Sequence, residues 1–195
     1  MNYLELSIEN VEDKCRELYK KIDYDYDLVI FIAKGSYIIG RELSKFNNVP
    51  LLEIFATRKG SKLKKIVKPL LKFVPKEILI LLRKKEMSST YHETNNDRNV
   101  SFDDTKFSSY LDNKRILLVD DSIDSGNSII LTKKAIVDYF KNAEVKVAVF
   151  NVMDKSTIRP DYTLYNNMMI CGPWSNDSKY NKKYNKLYYE WKNGE

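Results

Sequence analysis

Residues 116–128, Ile-Leu-Leu-Val-Asp-Asp-Ser-Ile-Asp-Ser-Gly-Asn-Ser, concentrate more chemistry than any other stretch of this 195-residue chain. The apolar run Ile116–Val119 leads into adjacent carboxylates, Asp120 and Asp121. Ser125, Gly126, Asn127 and Ser128 then form a small-residue loop that opens a helical pattern. A loop at a helix N-terminus presents unpaired backbone N–H groups and the positive end of the dipole, which suits a phosphate. Gly126 permits close approach, and Ser125 and Ser128 bring hydroxyl donors. Paired carboxylates accept hydrogen bonds from vicinal sugar hydroxyls or hold Mg²⁺. Joined, the two halves suit a phosphorylated sugar. Taken singly, they read as a bare Mg²⁺ site and a helix cap.

The elements around this segment must place it at the end of a buried strand. After the capping residue Ser7, apolar residues at helical spacing through Tyr19 predict an amphipathic helix. Leu28–Ala33 (LVIFIA) reads as a buried strand ended by Gly35-Ser36, and Tyr37–Phe46 as a helix. Further strands are expected at Leu51–Thr57, Ile116–Val119, Val145–Val152 and Met168–Cys171, with a helix at Ile129–Phe140. This alternation predicts an α/β fold, a central mainly parallel sheet flanked by helices, with ligands at the strand C-termini. One domain spanning residues 1–195 is expected. It carries a basic amphipathic insertion over 60–86, broken by Pro69 and Pro75, and a polar, aperiodic flexible loop over 87–110.

Composition narrows the class. An apolar share of 43% fits a globular core, and no apolar run reaches the ~20 residues of a membrane-spanning helix. Cys15 and Cys171 show no metal-ligand spacing, so a cytoplasmic protein with reduced thiols is expected. A net charge of +6 favours anionic partners. No nucleic-acid-binding module accompanies it.

The joint pattern at 116–128 resembles the binding motif of type I phosphoribosyltransferases: four hydrophobic residues, two acidic ones and a Ser/Thr-Gly-rich loop. The resemblance implies 5-phosphoribosyl-1-diphosphate (PRPP) as donor, Asp120 and Asp121 on the ribose hydroxyls, and Asp124–Ser128 around the 5-phosphate. It points to the hypoxanthine-guanine branch, in which an Asp opens the loop. Asp124 is then the candidate general base. Ala33-Lys34-Gly35-Ser36 is similar to the family's diphosphate-binding loop, which implies a strained or cis peptide at Lys34. Arg58 stands where a basic diphosphate ligand is found. Ser89-Thr90-Tyr91-His92 resembles the family's closing flap, although His92 by itself reads as a solvated loop residue. The implied reaction displaces Mg²⁺-bound diphosphate from ribose C1 with inversion. Lys34, Arg58 and Mg²⁺ would screen the leaving group, and a homodimer is implied.

The acceptor is expected to differ from the family's purine. By resemblance, a purine-reading Lys belongs near Met153-Asp154 and a stacking aromatic at Met169, beside Ile170 and followed by Trp174. Both recognition positions thus read as altered, with Lys155 close enough that a small gap would restore the lysine. The basic amphipathic stretch within 62–85 has the composition of an interfacial membrane segment, and the Tyr/Lys/Trp tail would add anchors at the same surface. Packing on the domain or on a second subunit is the alternative for that insertion. The acceptor placed first is therefore a sugar hydroxyl of a bacterial lipid-linked glycan, reached at the inner face of the membrane. A purine is the alternative, and a regulator that keeps the donor site as a sensor is third.

Overall fold

A computed structural model of the chain describes residues 2–58 and 98–194, apart from the side chains of residues 58 and 98. The chain divides into one unit of residues 1–56 with 100–195 and a second of residues 57–99. In chain order the elements are β1 (Asn2–Glu5), α1 (Ile8–Tyr19), β2 (Leu28–Ala33), α2 (Tyr37–Asn47), β3 (Leu51–Arg58), β4 (Arg98–Ser101), α3 (Asp104–Ser108), β5 (Arg115–Ile123), α4 (Asn127–Tyr139), β6 (Glu144–Val152), β7 (Tyr162–Asn166), β8 (Met168–Cys171) and α5 (Asn181–Asn193).

Six strands form the main sheet in the order β4-β3-β2-β5-β6-β7, while β1 and β8 pair separately. The pairs β2–β3, β2–β5, β5–β6 and β6–β7 are all parallel, as the strand–helix alternation predicts. Alternation splits β2 between two cores. Val29 and Phe31 enter one core with Leu117, Val119, Ala148 and Phe150; Leu28, Ile30 and Ile32 enter the other with Ile116, Leu118 and Val147. Helices α1, α2 and α5 cover the first core, and α3 and α4 the second. Burial on both faces is why the central strands read as continuous apolar runs.

From β2 the chain moves outward to β3 on one side, then returns to β5 on the other and continues outward to β6 and β7. The order therefore reverses between β2 and β5. That is the switch point at which open α/β sheets leave a crevice beyond their strand C-termini. The loop after β2 and the end of β5 both lie at it.

Three expectations need correction. Strand β5 continues past Val119 to Ile123, because Asp120, Ser122 and Ile123 keep their pairing with Val149, Asn151 and Val152. The stretch expected to be loop over 87–110 contains β4 and α3. Phe107, 1% exposed, stacks on Phe102 with centroids 4.4 Å apart and meets Tyr139 and Phe140, so tertiary burial orders a segment too short to show a period. The aromatic tail is helix α5. Tyr184 and Tyr188 are buried in the first core, and Trp191 packs on Phe31 and Tyr37 with centroids 5.3 and 5.2 Å away. Those rings are committed to the interior instead of a membrane surface. The insertion at 60–86 lies outside the described residues, among which no helix is long and apolar enough to cross a membrane.

Candidate active site

Consecutive residues of a strand leave on opposite faces, so Asp121 follows Leu117 and Val119 toward the first core and Asp120 starts toward the second. Their carboxyl groups nevertheless lie within hydrogen-bonding reach of one another, and the Asp121 N–H donates to Asp120 Oδ1 at 2.9 Å. Burial holds the Asp120 pKa well above the usual carboxylate range, and the charge of Asp121 adds to the rise. Asp121 is raised too, chiefly by burial, with the Trp174 side chain donating a hydrogen bond that partly offsets it. Among the described residues no lysine or arginine forms an ion pair with either carboxylate. Asp120 is buried and Asp121 half-buried, so the pair offers hydrogen-bond acceptors where burial penalises the charged form.

Beyond Ile123 the chain turns through exposed Asp124, half-buried Ser125 and Gly126 into α4. Asp124 is close enough for its charge to act on both Asp120 and Asp121. Gly126 has φ +93, and a Cβ there would sit 2.7 Å from Ile158 Cγ1. Only glycine meets both conditions. The Thr157 N–H and hydroxyl both donate to the Ser125 carbonyl, at 3.3 and 3.0 Å, fixing the turn from the loop after β6. Helix α4 thus begins at Asn127 with its first N–H groups facing the turn, next to Ser128. The turn and the start of α4 lie where the sequence placed residues 125–128.

The loop after β2 faces the pair. The Ala33–Lys34 peptide is cis, and a Cβ on Gly35 would lie 3.5 Å from Asp121 Oδ1 and 3.6 Å from Trp174 Cδ1. Two side chains of this loop are placed otherwise than expected. The Ser36 hydroxyl is fully buried and bonds the carbonyls of Ile32 and Val119 at 2.7 and 3.2 Å, so it ties β2 to β5 instead of facing a diphosphate. The Lys34 ammonium donates to Asn185 of α5 and lies 5.4 Å from the Tyr189 ring centroid. What the loop offers a ligand is therefore its backbone. The side chain of Arg58 and the flap residues Ser89, Thr90, Tyr91 and His92 fall outside the described residues.

The residues assigned to the acceptor are only partly brought together. Met153 and Met169 are 4% and 3% exposed. Ile170 leaves β8 on the opposite face from Met169 and packs against the first core, so it cannot share a pocket wall with it. Trp174 lies flat over Gly172, where any Cβ would fall 2.3 Å from its ring, and it reaches Asp121. It lies beside Asp121. Sequence reasoning passed over Asn151, a fully buried amide whose Nδ2 donates to Ser122 Oγ at 3.1 Å and to Met153 Sδ at 3.4 Å, while its Oδ1 accepts from the Met168 N–H at 2.9 Å. It locks β5, the loop after β6 and β8 together. A lone amide inside the apolar run Val147–Val152 was the available signal.

With this geometry in view, the comparisons define the class. Residues 3–177 match the model of the phosphoribosyl transferase domain, and the chain belongs to that family. Its chemistry is phosphoribosyl transfer. Among solved structures it is similar to a purine phosphoribosyltransferase from Pyrococcus horikoshii, 18% identical with TM-score 0.58, covering 90% of this chain and 95% of that one. It is also similar to the xanthine-guanine-hypoxanthine phosphoribosyltransferase of Helicobacter pylori, 17% identical with TM-score 0.62, covering 93% and 99%. A Neisseria gonorrhoeae protein solved with bound ppGpp is likewise 17% identical with TM-score 0.62, covering 96% of each chain. Comparison with curated proteins gives no match.

Proposed function

We propose that the chain transfers the 5-phosphoribosyl group of PRPP to a ring nitrogen of a purine-type base. The observation that carries this is the buried Asp120-Asp121 pair running into the Gly126 turn and α4, at the switch point of a phosphoribosyl transferase domain. The bond from C1 to the diphosphate oxygen breaks with its electrons as the C1–N bond forms on the opposite face, and the nitrogen's proton passes to Asp124. Asp120 and Asp121 hold the ribose hydroxyls; the N-terminus of α4 holds the 5-phosphate. Among the described residues no cluster of three metal-ligating side chains occurs. The family's Mg²⁺ would fit here as an ion carried by the donor's phosphate oxygens, with Asp120 and Asp121 as hard oxygen neighbours to hold it, and its positive charge would screen the leaving diphosphate.

The purine takes precedence over the glycan hydroxyl on two grounds. The solved relatives named above include purine enzymes, and the tail no longer supports membrane anchoring because α5 is packed on the core. One observation still favours the glycan as a second reading: methionines, both buried, occupy the positions where a base-reading lysine and a stacking aromatic belong. The deciding measurement is diphosphate release from PRPP and Mg²⁺ with guanine, hypoxanthine, xanthine or a saccharide acceptor. Purine turnover near ~1–10 s⁻¹ is expected. Turnover with the saccharide alone would reverse the order, and none with any acceptor despite tight donor binding would point to a sensor.

A further inference from the structure

Helix α5 begins at residue 181, past the segment 3–177 that matches the family domain, yet it holds two parts of the site. Its Asn181 side chain donates to the carbonyls of Pro173 and Trp174, at 3.3 and 3.1 Å, and so sets the turn that brings Trp174 to Asp121. One turn on, the Tyr184 phenol donates to the Lys34 carbonyl and, at 2.9 Å, to the Gly35 carbonyl. One hydroxyl hydrogen is thus shared between consecutive carbonyls of the loop after β2.

The peptides Lys34–Gly35 and Gly35–Ser36 are trans, and in a planar trans peptide the C=O and N–H point in opposite directions. With both carbonyls drawn to Tyr184, the N–H groups of Gly35 and Ser36 turn away from α5. Neither donates to any described residue. Gly35 stands beside Asp121, so these two donors belong to the same crevice as the ribose pair. Successive N–H groups on one side of a loop make an anion-binding concavity. The phenol itself is buried, with its pKa raised by that burial and next by the charge of Asp121, and it stays a donor at every working pH.

We propose that Tyr184 is a positioning residue for donor binding: by holding the Lys34 and Gly35 carbonyls it presents the Gly35 and Ser36 N–H groups to the diphosphate of PRPP. This rests on reading the crevice as a PRPP site. Substituting Tyr184→Phe removes the hydroxyl and leaves the ring packed between Tyr37 and Trp174, with centroids 6.3 and 6.2 Å away. Tyr188→Phe is the control. It lies on the same helix, but its phenol donates to Glu53 at 2.7 Å and touches no loop carbonyl.

The experiment is calorimetric titration of wild type and both variants with magnesium diphosphate and, separately, with ribose 5-phosphate. Y184F should lose diphosphate affinity by about tenfold, the effect of an anion site losing its oriented donors, with ribose 5-phosphate affinity within about twofold of wild type. Y188F should lower the melting temperature and keep both affinities. In steady-state assays Y184F should raise the donor KM and leave the acceptor KM unchanged. If Y184F poorly populates the fold, ¹⁵N-labelled wild type serves instead: Gly35 and Ser36 amide resonances must shift on adding magnesium diphosphate, and unshifted resonances overturn the proposal. Unchanged diphosphate affinity in Y184F, or equal losses in Y184F and Y188F, also overturns it. Wild type that binds neither ligand overturns the PRPP reading and this proposal with it.

Discussion

Asp120 shows how a single residue sets stability against pH. A carboxyl whose pKa is higher folded than unfolded binds its proton more tightly in the native state. Stability therefore falls as pH rises from the unfolded value of ~3.9 through the raised folded one. Asp120→Asn removes that charge while keeping Oδ1 as acceptor for the Asp121 N–H. The ligand-free variant should melt above wild type at pH 7 by roughly 2–4 °C, the shift that about 1 kcal/mol produces in a chain of this size. The gap should close on titration to pH 4. Activity should move the opposite way, since on the proposed reading the ribose loses one of its acceptors. Asp124 is exposed and can be altered without disturbing the core. Asp124→Asn should lower kcat by about 10²–10⁴ while donor affinity stays within a few-fold, and unchanged kcat would remove Asp124 from the mechanism. At this scale the sequence was informative where chemistry is local: Asp120, Asp121, Asp124 and Gly126 lie within seven consecutive positions. Tyr184 is 150 residues from the carbonyl it holds, and no local spacing reveals such a pair.

Elements show the same division. Strands β2, β3 and β6 were legible because burial on both faces makes them apolar throughout, and α1 because Ser7 and Asn10 cap it reciprocally. Strand β7 escaped notice as a half-buried edge strand with a polar pattern, and α5 because its polar average hides the tyrosines on one face. A second attachment of α5 is buried. Glu53 of β3, 8% exposed, accepts from Tyr188 and from Lys192 Nζ at 2.5 Å, with the ammonium 4.6 Å from the Phe55 centroid. Lys192→Met leaves that carboxylate with the phenol alone. Because Lys192 is about one-third exposed, the cost should be about 1–3 kcal/mol, below that of a fully dry pair. Adding Glu53→Gln should recover part of it in a urea melt. On the other side of the site, Thr157→Val keeps the N–H bond to Ser125 and loses the hydroxyl bond. Donor KM should rise about fivefold, equivalent to ~1 kcal/mol.

For the whole molecule, the reversal of strand order between β2 and β5 brings the residue 34–36 loop, the acidic pair and the α4 turn to one crevice. Alternating strands and helices announced the parallel sheet, but not the order in which its strands pair, which depends on long-range register. Helix α5 closes the first core, and deleting residues 181–195 withdraws Tyr184, Leu187, Tyr188 and Trp191 from it. At about 1.5–3 kcal/mol for each large side chain, the loss is comparable to the whole net stability of a domain. The truncated chain should show no cooperative urea transition and no near-ultraviolet dichroism. The bond from Tyr184 to Lys34 has one more consequence, in time. The loop is translated 150 residues before its orienting phenol, so a nascent chain carries residues 34–36 for a time without the group that aims them. Contacts of such sequence separation form late. On the PRPP reading, donor binding would begin only once α5 has been made and has packed on the loop after β2.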